Sequence, residues 1–266
     1  MNSELQKNKS LMGMRMNSVI TSVSDDQNST AVLWSKYADA YDGMCSINPA
    51  YEEIMSMVQF HLSDLTESFD FSLLDVGAGT GNLLSRLAKA YPAAHFTHLD
   101  IDSSMNRYAK RKYLDAALSN IEIVENSFLE WLPSTGQFDF ITSTNAVYAI
   151  HPHEKTLQKL FDLLRPKGAL ILVDFGRQQN TNDWVRYMVW NSLKRNGIRR
   201  TYQIVKGNWE AAKQNRRTTA AQNDGLYWLH STNEFVSELE KVGFTVSLAK
   251  ECYRGYSDIA VCTKPA

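Results

Sequence analysis

The 266-residue chain predicts an α/β domain: a mostly parallel, doubly wound, Rossmann-like sheet with helices on both faces. Three observations predict it. Short apolar runs, several closed by an acid, alternate with stretches of helical spacing, the rhythm of βαβ units. Most of these runs are apolar throughout rather than at every second residue, as strands covered on both sides must be. A glycine-rich turn, Asp75-Val-Gly-Ala-Gly-Thr-Gly81, joins the first run to an amphipathic helix.

Taken in order, residues 1–29 are rich in Ser, Asn, Met and Gln and lack a sustained period, so they read as a mobile arm. Residues 30–62 read as a helical cover. Trp34, Tyr37, Ala38 and Tyr41 share one face, Pro49 interrupts, and Tyr51, Ile54, Met55, Val58 and Leu62 resume the spacing. Phe71 to Val76 is the first strand, and Leu83, Leu84, Leu87 and Ala88 mark the helix behind the turn. His95 to Asp100 is the second strand, closed by an acid about 25 residues beyond Asp75, where a second parallel strand would end. Ile121 to Glu125 and Phe138 to Ser143 are the third and fourth. A helix from about His153 to Leu164 stops at Arg165-Pro-Lys-Gly168, and Ala169 to Asp174 is the fifth strand.

Residues 176–231 then break the alternation with about 55 polar, basic and aromatic residues, too long for a connector. They read as a helical lid. Thr232 to Val242 restores a helix, and Gly243 to Ala249 with Ser257 to Thr263 suit an antiparallel hairpin at one sheet edge. Residues 30–266 thus form one expected domain.

Composition bounds the function. Hydrophobic content of 44% and charged content of 21% suit a soluble globular chain. No apolar run approaches the roughly 18 residues of a membrane span, and the N-terminus lacks the layout of a secretory signal. Cytoplasm is the expected location. The three cysteines have no metal-ligand or disulfide-framework spacing, so no metal is expected. A net charge of −1 argues against wholesale nucleic-acid binding. Local charge is less even, with basic residues such as Arg186, Lys194, Arg199, Arg200 and Arg217 clustered in the lid.

The turn selects among ligands. A dinucleotide fingerprint counted from Gly77 needs glycine at 82, where Asn82 stands, and no Gly-Lys-Ser/Thr of a P-loop follows. An acid entering the turn repels phosphate but suits a cationic ammonium group. A carboxylate at Asp100 has two oxygens for two ribose hydroxyls, although Asp100 also reads as a helix N-cap. A turn packed tightly with no ligand is an equal reading of the glycines alone.

Asp75-x-Gly77-x-Gly79-x-Gly81, the strand-ending Asp100, the Asn126-Ser127-Phe128 turn, Phe138-Asp139 and Leu164-Arg-Pro-Lys-Gly168 occur in register. Together with the terminal hairpin they resemble the class I S-adenosylmethionine-dependent methyltransferase family, from about Trp34 to Lys264 apart from the lid. The resemblance implies a seven-stranded sheet whose last strand is antiparallel, with S-adenosyl-L-methionine as cofactor across the strand ends. It implies that Gly77, Ala78, Gly79 and Gly81 admit the methionine part and ribose. Asp75 would face the amino group and Asp100 take the ribose hydroxyls. Ile101 and Met105 would pack on adenine, with Ser127 and Phe128 at its edge. Tyr41 would close over the methionine end, and Thr144 or Asn145 would line the transfer gap. Two positions depart from the family: Ser127 where an Asp is usual, and His98 where a small residue is usual, which together imply somewhat weaker donor binding.

The expected reaction is methyl transfer to O, N or C of a small-molecule acceptor, anionic or aromatic. His151 and Tyr148, after the fourth strand, are the candidate catalytic residues. Tyr187, Trp190, Arg199, Arg200 and His230 are the candidate acceptor contacts. Protein or RNA methylation, non-catalytic donor binding and, last, an NAD oxidoreductase are the alternatives. Acceptor identity and oligomeric state stay open.

Overall fold

Seven strands hydrogen-bond in the order β3-β2-β1-β4-β5-β7-β6 in a computed structural model that describes residues 41–133, 137–207, 222 and 225–266. The expected arm at 1–29, Trp34 and Tyr37 of the helical cover, and Arg217 of the lid lie outside the described residues. The strands are β1 (Ser72–Val76), β2 (His95–Asp100), β3 (Ile121–Glu125), β4 (Phe138–Thr144), β5 (Leu164–Phe175), β6 (Thr245–Cys252) and β7 (Ser257–Thr263). Strands β1 to β5 run parallel, and β7 lies antiparallel between β5 and β6. The sheet is the one the alternating apolar runs and the terminal hairpin predict.

The helices are α1 (Pro49–Leu65), α2 (Asn82–Ala90), α3 (Ser103–Asp115), α4 (His153–Leu163), α5 (Thr181–Gly207) and α6 (Thr232–Val242). Two buried clusters sandwich the sheet. Ile54, Val58 and Leu62 of α1, Leu84 and Leu87 of α2 and Ala109 of α3 cover one face. Leu157 and Leu160 of α4 with Phe235 and Leu239 of α6 cover the other. Local chemistry starts these helices. Asn48 caps α1 by accepting from Ala50 N–H, Asp102 caps α3 by accepting from Ser104 and Met105 N–H, and Ser231 with Glu234 forms a capping box on α6.

Two features differ from the sequence reading. Strand β5 begins at Leu164 rather than Ala169, because Phe138 pairs with Leu164 while Phe140 pairs with Ala169, so residues between them bulge from the ladder. Lys167 there adopts φ of 65°. Most of the lid's described part is one long helix, α5, interrupted at Gly197, whose φ of 71° and ψ of 175° only glycine adopts readily. Among the described residues no helix is long and apolar enough to cross a membrane.

Candidate cofactor-binding site

The C-terminal ends of β1, β2 and β4 converge on the glycine turn, and each of its three glycines has a positive φ. Their surroundings differ. A Cβ at Gly77 would overlap that of Ala146, and a Cβ at Gly81 would overlap the Tyr113 hydroxyl, whereas a Cβ at Gly79 would meet nothing within 4 Å. Gly77 and Gly81 therefore satisfy packing, while Gly79 keeps open space over the turn. Gly77 and Ala78 both donate to Leu99 C=O, at 2.8 and 3.1 Å, which lashes the turn to the end of β2.

Asp100 stands beside that open space. Its Oδ2 accepts from Gly79 N–H and its Oδ1 from Asp102 N–H, each at 2.8 Å. Because Asp102 caps α3, Asp100 is not the cap, and each carboxylate oxygen retains acceptor capacity. Burial pushes the Asp100 carboxyl up to about 6 against these stabilising N–H bonds. Asp75 lies deeper, 3% exposed, with Oδ1 accepting from Thr142 Oγ1 at 2.8 Å. Burial, and then the charge of Asp100, push it up to about 7. Two partly uncompensated carboxyls under an open turn favour a cation and hydroxyl donors there and disfavour phosphate.

Asn82, which breaks the dinucleotide fingerprint, has a task of its own. Its side-chain amide donates to Asp42 Oδ1 at 3.1 Å and Tyr51 Oη at 3.2 Å, and its carbonyl accepts from Lys112 Nζ at 2.5 Å. Asp42 also accepts from Thr80 Oγ1 at 2.5 Å and pairs with Lys112 at 2.8 Å. The helical residues 41–46 are thereby tied to the turn through Asp42. Tyr41 is half-buried, its ring edge-on to Tyr51.

On the adenine side, Met105 is buried and Ile101 is 64% exposed. Ser127 opens a turn in which its carbonyl accepts from Glu130 and Trp131 N–H. Phe128 is buried with Lys159 Nζ 5.3 Å from its ring centre. Beyond β4, Asn145 has φ of 53°, donates its N–H to Val173 C=O at 2.7 Å, and accepts from Ser257 Oγ at 2.9 Å.

Two buried polar groups at the neighbouring ends of β4 and β5 lack hydrogen-bond partners: Thr144 Oγ1 and both oxygens of Asp174. Burial raises the Asp174 carboxyl well above the usual carboxylate range, opposed by the nearby N–H groups of Tyr148 and Phe175. Orphaned polar atoms at strand C-termini mark where ligands of open α/β sheets sit. The sequence signalled Asp174 only as a strand-closing acid.

From Ala146 the chain turns through the 3-10 segment Val147–Ala149, placing Tyr148 inside. An aromatic path follows, with ring centres 5.1 Å apart for Tyr148–Phe175, 5.9 Å for Phe175–Tyr253, 4.6 Å for Tyr253–Trp184 and 5.7 Å for Trp184–Tyr187. It leads to an open cleft of about 640 Å³ lined by Arg186, Tyr187, Trp190, Leu193 and Arg254 among others. Arg254 rests 4.1 Å from the Tyr187 ring centre and pairs with Asp183 at 2.9 Å. Its φ of 61° is one of three consecutive positive values, Tyr253 to Gly255, a strained presentation that Tyr253 Oη stabilises by accepting from Asn48.

Other expected residues scatter. His151 is exposed ahead of α4, and Arg199 and Arg200 are exposed beyond the Gly197 break. Trp190 is 60% exposed on the cleft. His230 is buried off the cleft, stacked on Phe235 at 4.3 Å with Nδ1 3.6 Å from Asp258 Oδ2. Burial lowers its ring pKa to about 4, so it is neutral.

Known proteins resemble this chain in sequence from β1 into β5, and in fold. A family profile described as a methyltransferase domain matches residues 73–168. Malonyl-[acyl-carrier protein] O-methyltransferase of Priestia megaterium is 29% identical over 54% of this chain and 50% of its own, so the chain matches half that relative's length. Demethylmenaquinone methyltransferase of Listeria monocytogenes is 24% identical over 54% of this chain and 67% of its own. Magnesium protoporphyrin IX methyltransferase from Synechocystis, solved with S-adenosylhomocysteine (SAH), shares the fold at a TM-score of 0.55 and 16% identity, over 82% of this chain and 85% of that one.

Proposed function

The chain belongs to the class I S-adenosylmethionine-dependent methyltransferases, and from that premise we propose that it methylates O, N or C of a small, anionic, flat or apolar metabolite. The carrying observation is the cradle itself: open space over Gly79 beside an Asp100 carboxylate that the same glycine's N–H holds in place. A side chain at Gly79 would fill that space. Asp100 would hold the ribose hydroxyls, and Asp75, buried under the turn, would act on the donor's amino group by charge or through water. Met105 and the Ser127–Phe128 turn would flank adenine, and Thr144 and Asn145 the transfer gap.

When bound, S-adenosylmethionine supplies a methyl group already activated on a sulfonium. The chain's own residues then have to place the acceptor and exclude water, and orientation of this kind supplies about 7–11 kcal/mol. Tyr148, buried at the head of the aromatic path, orients the acceptor. Asp174, buried at the end of β5 beside Thr144, would hydrogen-bond the acceptor. His151, exposed, has no task in this arrangement. Arg254 and Arg186 would receive the acceptor's negative group at the cleft, in place of Arg199 and Arg200, and Tyr187 and Trp190 would cover its apolar part. The names of two relatives, a malonyl-[acyl-carrier protein] O-methyltransferase and a demethylmenaquinone methyltransferase, support a small or carrier-bound acceptor.

The test is methyl transfer from labelled donor across paired acceptors, free acids and their esters. Arg254→Ala should raise KM for acids about tenfold and leave esters alone. Equal effects on both would remove Arg254 from acceptor recognition.

A further inference from the structure

His98, at 0% exposure on β2, is hydrogen-bonded on both ring nitrogens. Nδ1 is 2.8 Å from Tyr113 Oη and Nε2 is 3.0 Å from Asn106 Oδ1. The network fixes the proton. Asn106 Nδ2 donates to Asp100 C=O at 3.1 Å and to Glu125 Oε2 at 3.2 Å, so its Oδ1 is the atom facing His98. His98 must then carry its hydrogen on Nε2 and accept at Nδ1, and Tyr113 must donate. Burial depresses the ring's pKa to about 4, so the neutral form persists through the working range.

The two ends of this relay are the two halves of the cradle. Tyr113 Oη abuts Gly81 so closely that no Cβ fits between them. Asn106 grips the main chain of Asp100, whose carboxylate receives Gly79 N–H. The path Gly81–Tyr113–His98–Asn106–Asp100–Gly79 therefore closes on itself beneath the turn.

We propose that His98 is a positioning residue for donor binding, setting through Tyr113 and Asn106 the separation between the glycine turn and the Asp100 carboxylate. The inference rests on the donor reading of that cradle. A small residue at 98 leaves this span to packing alone; here it is set by three directed hydrogen bonds. The ring touches no ligand and acts through its two neighbours.

Calorimetric titration of SAH into the full chain, with melting curves alongside, tests it. Tyr113→Phe keeps the ring and its packing and removes only the O–H donor, and should weaken SAH binding about tenfold. His98→Leu should weaken it at least as much. His98→Gln, which can still donate toward Asn106, should recover part of the loss. In wild type, ¹⁵N resonances should show His98 protonated at Nε2 only, a signature independent of any variant's folding. A Tyr113→Phe protein that melts earlier yet binds SAH like wild type overturns the proposal, as does an Nδ1–H tautomer. If Asp100→Ala loses binding while Tyr113→Phe does not, the relay fails and the donor site stands. If wild type does not bind SAH, both fall.

Discussion

Asp75→Asn should make the protein more stable and less able to bind its donor, and the two effects should part with pH. Burial raises the Asp75 carboxyl from 3.8 to about 7. The folded state thus keeps a proton that the unfolded chain gives up near pH 4, and stability falls as pH rises between about 4 and 7. Three pKa units at about 1.4 kcal/mol each set a ceiling of about 4 kcal/mol on that loss. Asn preserves the shape and the acceptor for Thr142 and removes the buried charge. At pH 5 the variant should already be about 1.5 kcal/mol more stable, and at pH 8 about 4 kcal/mol more stable, a gain of roughly 5 °C or more in Tm. A cationic donor group needs the ionised carboxylate, so wild-type affinity for SAH should fall up to about tenfold per unit below pH 7. In Asp75→Asn the affinity should be lower throughout and that slope reduced to the part Asp100 contributes near pH 6. Differential scanning fluorimetry and calorimetric titration over pH 5–8 read both. A variant less stable at pH 8, with SAH affinity intact, would make Asp75 a packing residue and refute the reasoning.

The glycines should separate. Gly77→Ala, meeting Ala146 at a positive φ, should lower stability by about 2–4 kcal/mol. Gly79→Ala should cost about 1–2 kcal/mol of backbone strain but remove SAH binding, since only there is the space open; chemical melts with binding assays distinguish the two. Asp42→Ala should cost about 1 kcal/mol, since its side chain is partly exposed, and should raise hydrogen exchange at residues 41–46 selectively. Uniform exchange across the chain would show that Asp42 does not tether that segment.

The parts written in local chemistry were legible in the sequence. The apolar runs gave the sheet, and the glycines with their entering acid gave the cradle, because strand burial and positive φ constrain residue type one position at a time. Asp102 and Asp100 were separable only in the structure, where the cap proved to be Asp102. Contacts between distant segments left little trace. Asp42 reaches Thr80 across 38 residues, and Arg254 reaches the cleft from the β6–β7 connection. His98 stood out in the sequence as a departure, yet its meaning lay in Tyr113, 15 residues on and one turn-face away. His230 sits at the end of the lid in sequence, but its ring found a better surface against Phe235 in the core. The bulge at Arg165–Gly168 was hidden because a proline–glycine pair reads equally as a helix stop.

Titrating SAH into the wild-type chain and into Asp100→Ala tests the account most directly. It predicts saturable binding at one site, weakened at least about tenfold in the variant, since two hydroxyl bonds to a charged acceptor are lost. An absence of heat with the wild-type protein, or equal affinity in the two, would contradict it.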